Sequence, residues 1–316
     1  MMKFIAKLGL RYNLMIQVVL LLMLSISTVF AQKIDLKYNL KQGQSYTLNQ
    51  NSNQLIHQEM GGMVNDMTIQ VKGKTLFVVN EVFPTYYNLT VKYENMLFSM
   101  KSSMMNVEFD SQNLSETPNA MQQALGAMIG EPFSVKMDRK GKILEVAGFD
   151  SIMTKMSSSI QGDKQMAKQV VAGLKDQYGD EAMKSSLSVL TALFPETPVA
   201  KGETWTIETK MSTGMKLTST NTITLNELTN NSWKLSGVSQ VASDKDAASQ
   251  NGGMTQHFDL KGNGTFDLEV NSETGWLISN ESKQTIEGIV TIEGGQLPSA
   301  MEIPMKIESQ STITNN

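Results

Sequence analysis

The chain of 316 residues contains no cysteine and only two histidines, His57 and His257. Without thiols it has no disulfide, no thiolate metal site and no cysteine nucleophile. A catalytic zinc site typically includes a pair of histidines at helical spacing, whereas these two lie 200 residues apart in strand-like contexts. A serine nucleophile lacks the Gly-x-Ser-x-Gly motif that would hold it. We therefore predict a protein that is not an enzyme and carries no cofactor.

Basic residues are also few. The chain has 27 Lys and Arg against 31 Asp and Glu, a formal net charge of −4 and no basic block. A protein that binds nucleic acid needs clustered Lys and Arg to neutralise phosphates. We therefore predict no nucleic-acid partner. Arg139 is the single arginine after the first 31 residues, and we expect it to be solvated in a turn beside Asp138.

The first 31 residues have the pattern of an export signal. Three basic residues and no acid accompany the apolar run 14–24, and Val29 and Ala31 are small residues before a cleavage point. This pattern predicts cleavage after Ala31 and a periplasmic or extracellular mature chain, 32–316, without a membrane span. An uncleaved anchor is the alternative, because the segment from Leu14 to Phe30 is about as long as the shortest membrane helices.

Apolar and polar residues alternate from residue 33 to 110 and again from 199 to 313. Such alternation predicts antiparallel strands with one buried face. The run Ser45 to Met60 is long for a strand, so we expect a strongly twisted and curved sheet. Pro304 predicts an edge or bulge, and the polar stretch 242–253 predicts a loop.

Residues 117–194 change to a helical period. Apolar residues recur there at spacings of three and four, in segments that begin at Thr117, Asp150, Asp163 and Asp180. Helices with one apolar stripe need a surface to pack on. The fold class we predict is α+β and mostly β: a long curved antiparallel sheet or half-open barrel packed around this central helical segment.

The mature chain 32–316 is expected to form a single domain with a helical insert at 117–194. Its β-rich parts, 33–146 and 199–313, contain similar strand starts and similar glycine-closed hairpins. Duplication of one meander and convergence on common hairpin sequences both explain this similarity.

Several segments carry a resemblance to a known family. They are KYNLKQG at 37–43, MGGM at 60–63, PFSVKMDRKGKILEV at 132–146, FPETPV at 194–199 with GETW at 202–205, and EIPM at 302–305. The chain resembles a domain-of-unknown-function family of exported proteins from Gram-negative bacteria. The resemblance implies export and a β-rich fold, and it supplies no activity or catalytic residues.

Methionine is unusually frequent, with 23 residues. Flexible, polarizable methionine side chains adapt to irregular apolar partners. One interpretation is a methionine-lined concavity for an apolar ligand, and the other is a dry core in which methionine fills gaps. The ligand-binding candidates are Met121, Met128, Met156, Met183, Met211 and Met215.

A second hypothesis is a soft-metal site. His57, Met60, Met63 and Met67 lie close together in the sequence, and thioether sulfur with imidazole suits Cu(I). On a straight strand, the side chains at positions 60 and 63 would point to opposite faces. A turn at Gly61 would therefore have to bring both sulfurs to the same face.

The favoured function is an exported binding protein that holds an apolar, lipid-like ligand or an envelope partner. Copper binding through His57 is the alternative, and a carbohydrate-active or purely structural envelope protein is third.

Overall fold

The computed structural model describes most of the chain after residue 32. The described residues are 33–103, 106–161, 165, 170–172, 174, 179–213, 215–244, 247–251, 253–295, 297 and 299–315. The predicted export signal and the predicted helix start at Asp163 lie outside them. Residues 34–316 form one compact unit.

Strands make up most of this unit. In chain order they are β1 (Ser45–Met60), β2 (Met63–Val82), β3 (Tyr86–Ser102), β4 (Asn106–Asp110), β5 (Phe133–Asp138), β6 (Ile143–Ala147), β7 (Thr204–Thr213), β8 (Met215–Leu228), β9 (Ser232–Ser243), β10 (Ala248–Asn251), β11 (Met254–Asn271), β12 (Leu277–Gly294) and β13 (Met301–Thr314). The helices with complete bounds among the described residues are α1 (Ala120–Met128), α2 (Phe149–Ser159) and α3 (Asp180–Thr191).

All 13 of these strands belong to one antiparallel sheet. Its order is β6-β5-β3-β2-β1-β13-β12-β11-β9-β8-β7, with β4 paired to β3 and β10 to β11. The sheet is open, with β6 and β7 at its two edges. The predicted fold class, a mostly β protein with a long open antiparallel sheet and a few helices, is confirmed.

The two parts of the sheet repeat one strand order. The first part runs β1-β2-β3-β5-β6 and the second runs β7-β8-β9-β11-β12, so that β13 joins β12 to β1. Each part begins with the same turn. The N–H of Gly43 donates to Val79 on β2 at 2.8 Å, and the N–H of Gly202 donates to Leu225 on β8 at 2.7 Å. The two parts thus share both connectivity and turn geometry.

The turns after β5 and β11 also match. The side chain of Asp138 accepts two backbone N–H groups in the first turn, and the side chain of Asn271 accepts two in the second. Gly141 and Gly275 close these turns with positive φ values of 92° and 71°. Such φ values favour glycine because it has no Cβ.

The segment 34–41 packs against both of these turns. Its alternate side chains Leu36, Tyr38 and Leu40 are buried. The backbone N–H of Tyr38 donates to the β5–β6 turn and that of the next residue donates to the β11–β12 turn, both at 2.8 Å. The Tyr38 hydroxyl donates to the carbonyl of Thr191 at 3.0 Å. Burial, with the charge of Asp138, raises the pKa of Tyr38, so the hydroxyl stays a donor.

Arg139 is not solvated as expected. Its guanidinium lies 4.3 Å from the ring centre of Tyr87 and donates to the Tyr87 hydroxyl and to the carbonyl of Phe83. The Tyr87 hydroxyl in turn donates to the carbonyl of Tyr38 at 2.8 Å. Stacking and a buried acceptor therefore hold this arginine, and through Tyr87 it supports the segment 34–41.

The helices begin slightly away from the predicted positions. The cap of α1 is Asn119 rather than Thr117, because Asn119 and Gln122 exchange side-chain hydrogen bonds with each other's backbone N–H. Gly148, at φ 102°, precedes α2, which places Asp150 in the first turn. Asp180 is the first residue of α3, after Gly179.

Helix α3 spans the gap between the two edges of the sheet. It packs against both β6 and β7. The Ser185 hydroxyl donates to the carbonyl of Lys210 on β7. The Thr191 hydroxyl donates to the carbonyl of Gly141 beside β6, at 2.6 Å. A curved sheet with both edges on one helix encloses a space, as the half-open barrel requires.

Two local expectations change in the structure. The predicted loop 242–253 instead contains the end of β9 and the short strand β10, which pairs with β11. Pro304 lies in the central strand β13, but the β1 ladder ends at Met305. Pro304 pairs with Ile289 of β12 and has no β1 partner, so it lies just beyond the end of one ladder, where proline is tolerated.

We predict that Gly141→Ala destabilises the protein more than Gly43→Ala. Both positions have positive φ, so both variants lose about 1 kcal/mol for that backbone conformation. A Cβ at Gly141 would lie 1.8 Å from the Thr191 carbonyl oxygen, whereas nothing lies within 4 Å of one at Gly43. We expect the free energy of unfolding in urea to fall by about 1–3 kcal/mol more for Gly141→Ala. Equal losses would contradict the contact between the β5–β6 turn and α3.

Candidate ligand-binding cavity

Antiparallel pairing collects the strand ends into two groups of different composition. The turns after β2, β5, β8 and β11 lie at one end, and the turns after β1, β7, β10 and β12 lie at the other. We name them the aromatic end and the methionine end. The first carries contacts among Tyr38, Tyr46, Phe77, Phe194, Trp233 and Trp276. The second carries Met60, Met63, Met211, Met215, Met254 and Met301.

A cavity of about 500 Å³ lies between α3 and the inner face of the sheet, at the level of the strand middles. Its helical wall consists of Ser186, Val189 and Leu190 and, just after the helix, Ala192 and Leu193. Strands β1, β7, β8, β9, β11, β12 and β13 form the opposite wall. The two β-rich parts and the helical insert therefore all contribute to one site.

A band of uncharged polar side chains crosses the sheet wall of this cavity. The register places Ser52 opposite Ser311, and Ser311 opposite Ser282, in one continuous row. The next row places Gln54, Ser309 and Gln284 side by side. We call the full set the polar band: Gln50, Ser52, Gln54, Ser219, Asn221, Ser239, Asn280, Ser282, Gln284, Ser309 and Ser311.

Three side chains of the polar band bond to one another, and one buried oxygen of the band has no donor among the described residues. The hydroxyls of Ser219 and Ser239 lie 3.0 Å apart, and that of Ser219 lies 3.2 Å from Asn221 Oδ1. The buried Oδ1 of Asn280 has no hydrogen-bond donor among the described residues. A buried acceptor without a donor is costly, so this oxygen favours a ligand that brings one.

The cavity wall is nearly free of charge. Lys283 is the single charged residue among the described residues that line it. Because side chains alternate along a strand, Lys283 points to the outer face while Ser282 and Gln284 point inward. Its side chain is exposed, in agreement with that orientation. The interior therefore offers hydroxyl and amide groups without a counter-ion.

Apolar residues lie on both sides of the polar band. Toward the aromatic end, Ile223, Leu268 and Ile313 belong to the main hydrophobic core. Toward the methionine end, a second apolar cluster is formed by Leu217, Val241, Phe258, Leu260, Ile286, Val290, Ile303 and Ile307. Partly buried side chains pack against this second cluster, namely Ile56, Met60, Met211, Met215, Ile292, Met301 and Met305.

A second cavity, of about 590 Å³, lies along the other side of α3. Its walls include lysines and glutamates of α3, β7 and neighbouring segments, among them Lys184, Glu208 and Lys210. Charged residues of both signs are typical of a solvated groove at a sheet edge. The cavity under α3 is therefore the stronger candidate for a ligand site.

The six predicted ligand-site methionines fall into two groups. Met128, Met156 and Met183 are fully buried in the main core, and Met121 packs against that core. Met211 lines the cavity, and Met215 lies beside it in the second cluster. The concavity is thus lined by hydroxyl and amide groups together with apolar side chains, and methionine lies at one end of it.

The predicted soft-metal residues are divided between the two faces of the sheet. The β1–β2 register places Met60 opposite Met63 and Ile56 opposite Met67, so these methionines share the inner face with Ile56. His57 lies on the outer face, where its Nδ1 is 2.6 Å from Asp66 Oδ1. Met63 is 72% exposed at the hairpin tip. The turn at Gly61 does bring two sulfurs to one side, but the imidazole lies on the other.

No group of three or more His, Asp or Glu side chains among the described residues is arranged to hold a metal ion. None of the described helices combines the length and the apolar character that a bilayer crossing requires.

Sequence reasoning missed the polar band, although the sequence carries a signal for it. Residues 49–54 read NQNSNQ in the middle of a long strand, between the buried Leu48 and the half-buried Ile56. A strand that only covers a dry core would keep apolar residues at every second position. Here the period of two continues while the inward residues become polar.

The family of the chain follows from a sequence comparison. A model of a family of unknown function, DUF6263, matches residues 84–277. The chain belongs to this family. The expected membership of a family of unknown function is confirmed. The search of curated proteins gave no match.

Solved structures show only remote likeness to this DUF6263 protein. Lipovitellin, in a structure of lipid–protein interactions, is 10% identical with a TM-score of 0.46, over 88% of this chain and 25% of its own. An outer membrane channel from Pseudomonas putida F1 is 7% identical with a TM-score of 0.25, over 88% of this chain and 97% of the channel. OpdQ from Pseudomonas aeruginosa is 8% identical with a TM-score of 0.21, over 86% of this chain and 99% of OpdQ. The chain spans a quarter of the lipovitellin chain, and likenesses this remote indicate no ligand.

We predict that His57→Ala leaves Cu(I) titration of the protein unchanged. The imidazole lies on the opposite face from Met60 and Met67, so it cannot complete a ligand set with their sulfurs. Competition with a chromophoric Cu(I) chelator measures this, with Met63→Ala as the matched variant at the hairpin tip. A stoichiometric site that disappears in His57→Ala would contradict the separation.

Proposed function

We propose that this protein is an exported, non-enzymatic binding protein that holds a lipid-like ligand in the cavity under α3. The observation that carries the proposal is the cavity itself, about 500 Å³ between the helix and the inner face of the sheet. Small-molecule sites in proteins usually have about 300–1,000 Å³. A space of this size costs packing contacts, so its presence favours an occupant.

The composition of the cavity supports a ligand with a hydrocarbon part. Val189, Leu190, Leu193 and Ile223 contribute apolar surface to its wall. Met211 lines it, and Met215 continues that surface toward the methionine end. Methionine side chains repack around irregular apolar shapes at low cost, which suits an acyl chain.

The position of the histidines supports the absence of catalysis. His57 is paired with Asp66, and His257 lies 3.2 Å from Glu293, in both cases on exposed parts of strands. Neither residue lines the cavity under α3. A hydroxyl of the polar band therefore has no imidazole beside it to act as a general base.

Binding is tested by displacement of a fluorescent apolar probe from delipidated protein. We predict that Ser311→Phe reduces probe affinity at least about tenfold, because the ring fills the middle of the cavity. Thr312→Phe is the matched control, since the next residue of β13 is exposed on the outer face. Native mass spectrometry of protein purified from its host should also show a bound lipid mass.

Absence of both probe binding and a bound mass would overturn the proposal and leave a structural role or a protein partner in the envelope. Equal losses of affinity in Ser311→Phe and Thr312→Phe would also count against the cavity as the site. Circular dichroism of both variants shows whether each one is folded.

Export is the second element of the proposal. It is supported by the three basic residues near the N-terminus, the apolar run 14–24, and the small residues Val29 and Ala31. We predict that the protein isolated from the cell envelope or medium begins at Gln32, as measured by intact mass. A chain that retains its first 31 residues in the inner membrane would show an uncleaved anchor instead.

A further inference from the structure

We infer that the ligand has an uncharged head group rich in hydroxyls, such as that of a monoacylglycerol, bound at the polar band with its hydrocarbon chain toward the methionine end. This inference rests on the proposed function, because it concerns the same cavity. It adds the class of head group and the direction of the ligand.

The chemistry of the polar band decides the class of head group. Its serine, asparagine and glutamine side chains each donate and accept hydrogen bonds. A hydroxylated head group also does both, so it can pair with several rows of the band at once. Ser52, Ser282 and Ser311 form one such row, side by side on three adjacent strands.

The lack of inward charge excludes a charged head group. Among the described residues that line the cavity, only Lys283 is charged, and its side chain lies on the outer face. Moving a phosphate or an ammonium group from water into such a site costs far more than moving a hydroxyl, unless an opposite charge meets it. The band offers hydrogen bonds but no opposite charge.

Asn280 locates the head group within the band. Its buried Oδ1 has no donor among the described residues. Asn280 pairs with Ile313 on β13 and Leu268 on β11, so the oxygen lies beside the main hydrophobic core. A hydroxyl of the ligand can supply the missing donor at this position.

The two ends of the sheet decide the direction of the hydrocarbon chain. At the aromatic end, the ring of Tyr38 packs against those of Phe194 and Trp276, with ring centres 5.1 and 6.0 Å apart, and all three side chains are buried. At the methionine end, Met211, Met215 and Met301 are only partly buried. The methionine side chains can move aside to admit an acyl chain, whereas the packed aromatic rings cannot. We therefore place the hydrocarbon chain toward the methionine end.

The test is a panel of ligands with one oleoyl chain and different head groups. The panel contains monooleoylglycerol, oleoyl lysophosphatidic acid, oleylamine and octadecene, each titrated into delipidated protein against the fluorescent probe. We expect monooleoylglycerol to bind at least about tenfold more tightly than the other three, the effect of one or two net hydrogen bonds and an avoided charge burial.

Variants separate the polar band from general binding. Asn280→Leu should weaken monooleoylglycerol about tenfold and leave octadecene unchanged or tighter. Asn263→Leu is the matched control, because Asn263 is exposed on the outer face of β11. Ser282→Ala is a milder second variant for the band, so that the result does not depend on the folding of Asn280→Leu.

The outcomes distinguish the two levels of the proposal. If no ligand of the panel binds, the proposed function fails. If all four bind alike, if lysophosphatidic acid or oleylamine binds most tightly, or if both band variants behave as the Asn263 control, the head-group inference fails while the binding function stands.

Discussion

The structure depends on a curved sheet whose two edges both meet one helix. β6 and β7 lie at opposite ends of the strand order, yet α3 packs against both. The Ser185 hydroxyl donates to a carbonyl of the edge strand β7, and the Thr191 hydroxyl donates to the carbonyl of Gly141 in the turn before the edge strand β6. Exposed edges favour pairing with other chains, so the helix protects them while it keeps the sheet bent. The bend creates the concave face, and the helix turns that face into a cavity.

The interior of this protein is not uniformly apolar, and the exception is informative. Buried polar groups contribute little net stability even when they are paired, and they cost free energy when they are not. Apolar side chains at positions 282 and 311 would stabilise the fold more, because they would join the main hydrophobic core to the second cluster. The polar band is therefore poorly explained by stability, and it coincides with the cavity where a ligand could pair with it. Functional sites in proteins often contain residues that do not favour folding stability, and the polar band has this property.

Local patterns identified much of the secondary structure. The strand Ser45 to Met60 has the predicted bounds, because alternation and the turns at Gly43 and Gly61 mark both of its ends. The start of α1 was missed by two residues because the exchange between Asn119 and Gln122 outweighs the Thr-Pro signal. Arg139 was expected in solvent, since nothing near it in the sequence reveals that Tyr87 lies beneath its side chain. Both errors have one cause: each residue's position depends on a side-chain contact that the sequence pattern used for the prediction does not record.

Strand and helix content, the family and the scarcity of reactive groups can all be inferred from the amino-acid sequence, because composition, short motifs and short-range periodicity record them. The set of residues that share the inner face of the cavity follows instead from long-range contacts. Ser52, Ser282 and Ser311 are neighbours through the pairing of β1 with β13 and of β13 with β12. In a stretch such as 49–54, where both faces are polar, alternation cannot show which face is inward. Long-range strand pairing and the helix that covers it settle that choice, since burial there depends on contacts between opposite ends of the chain.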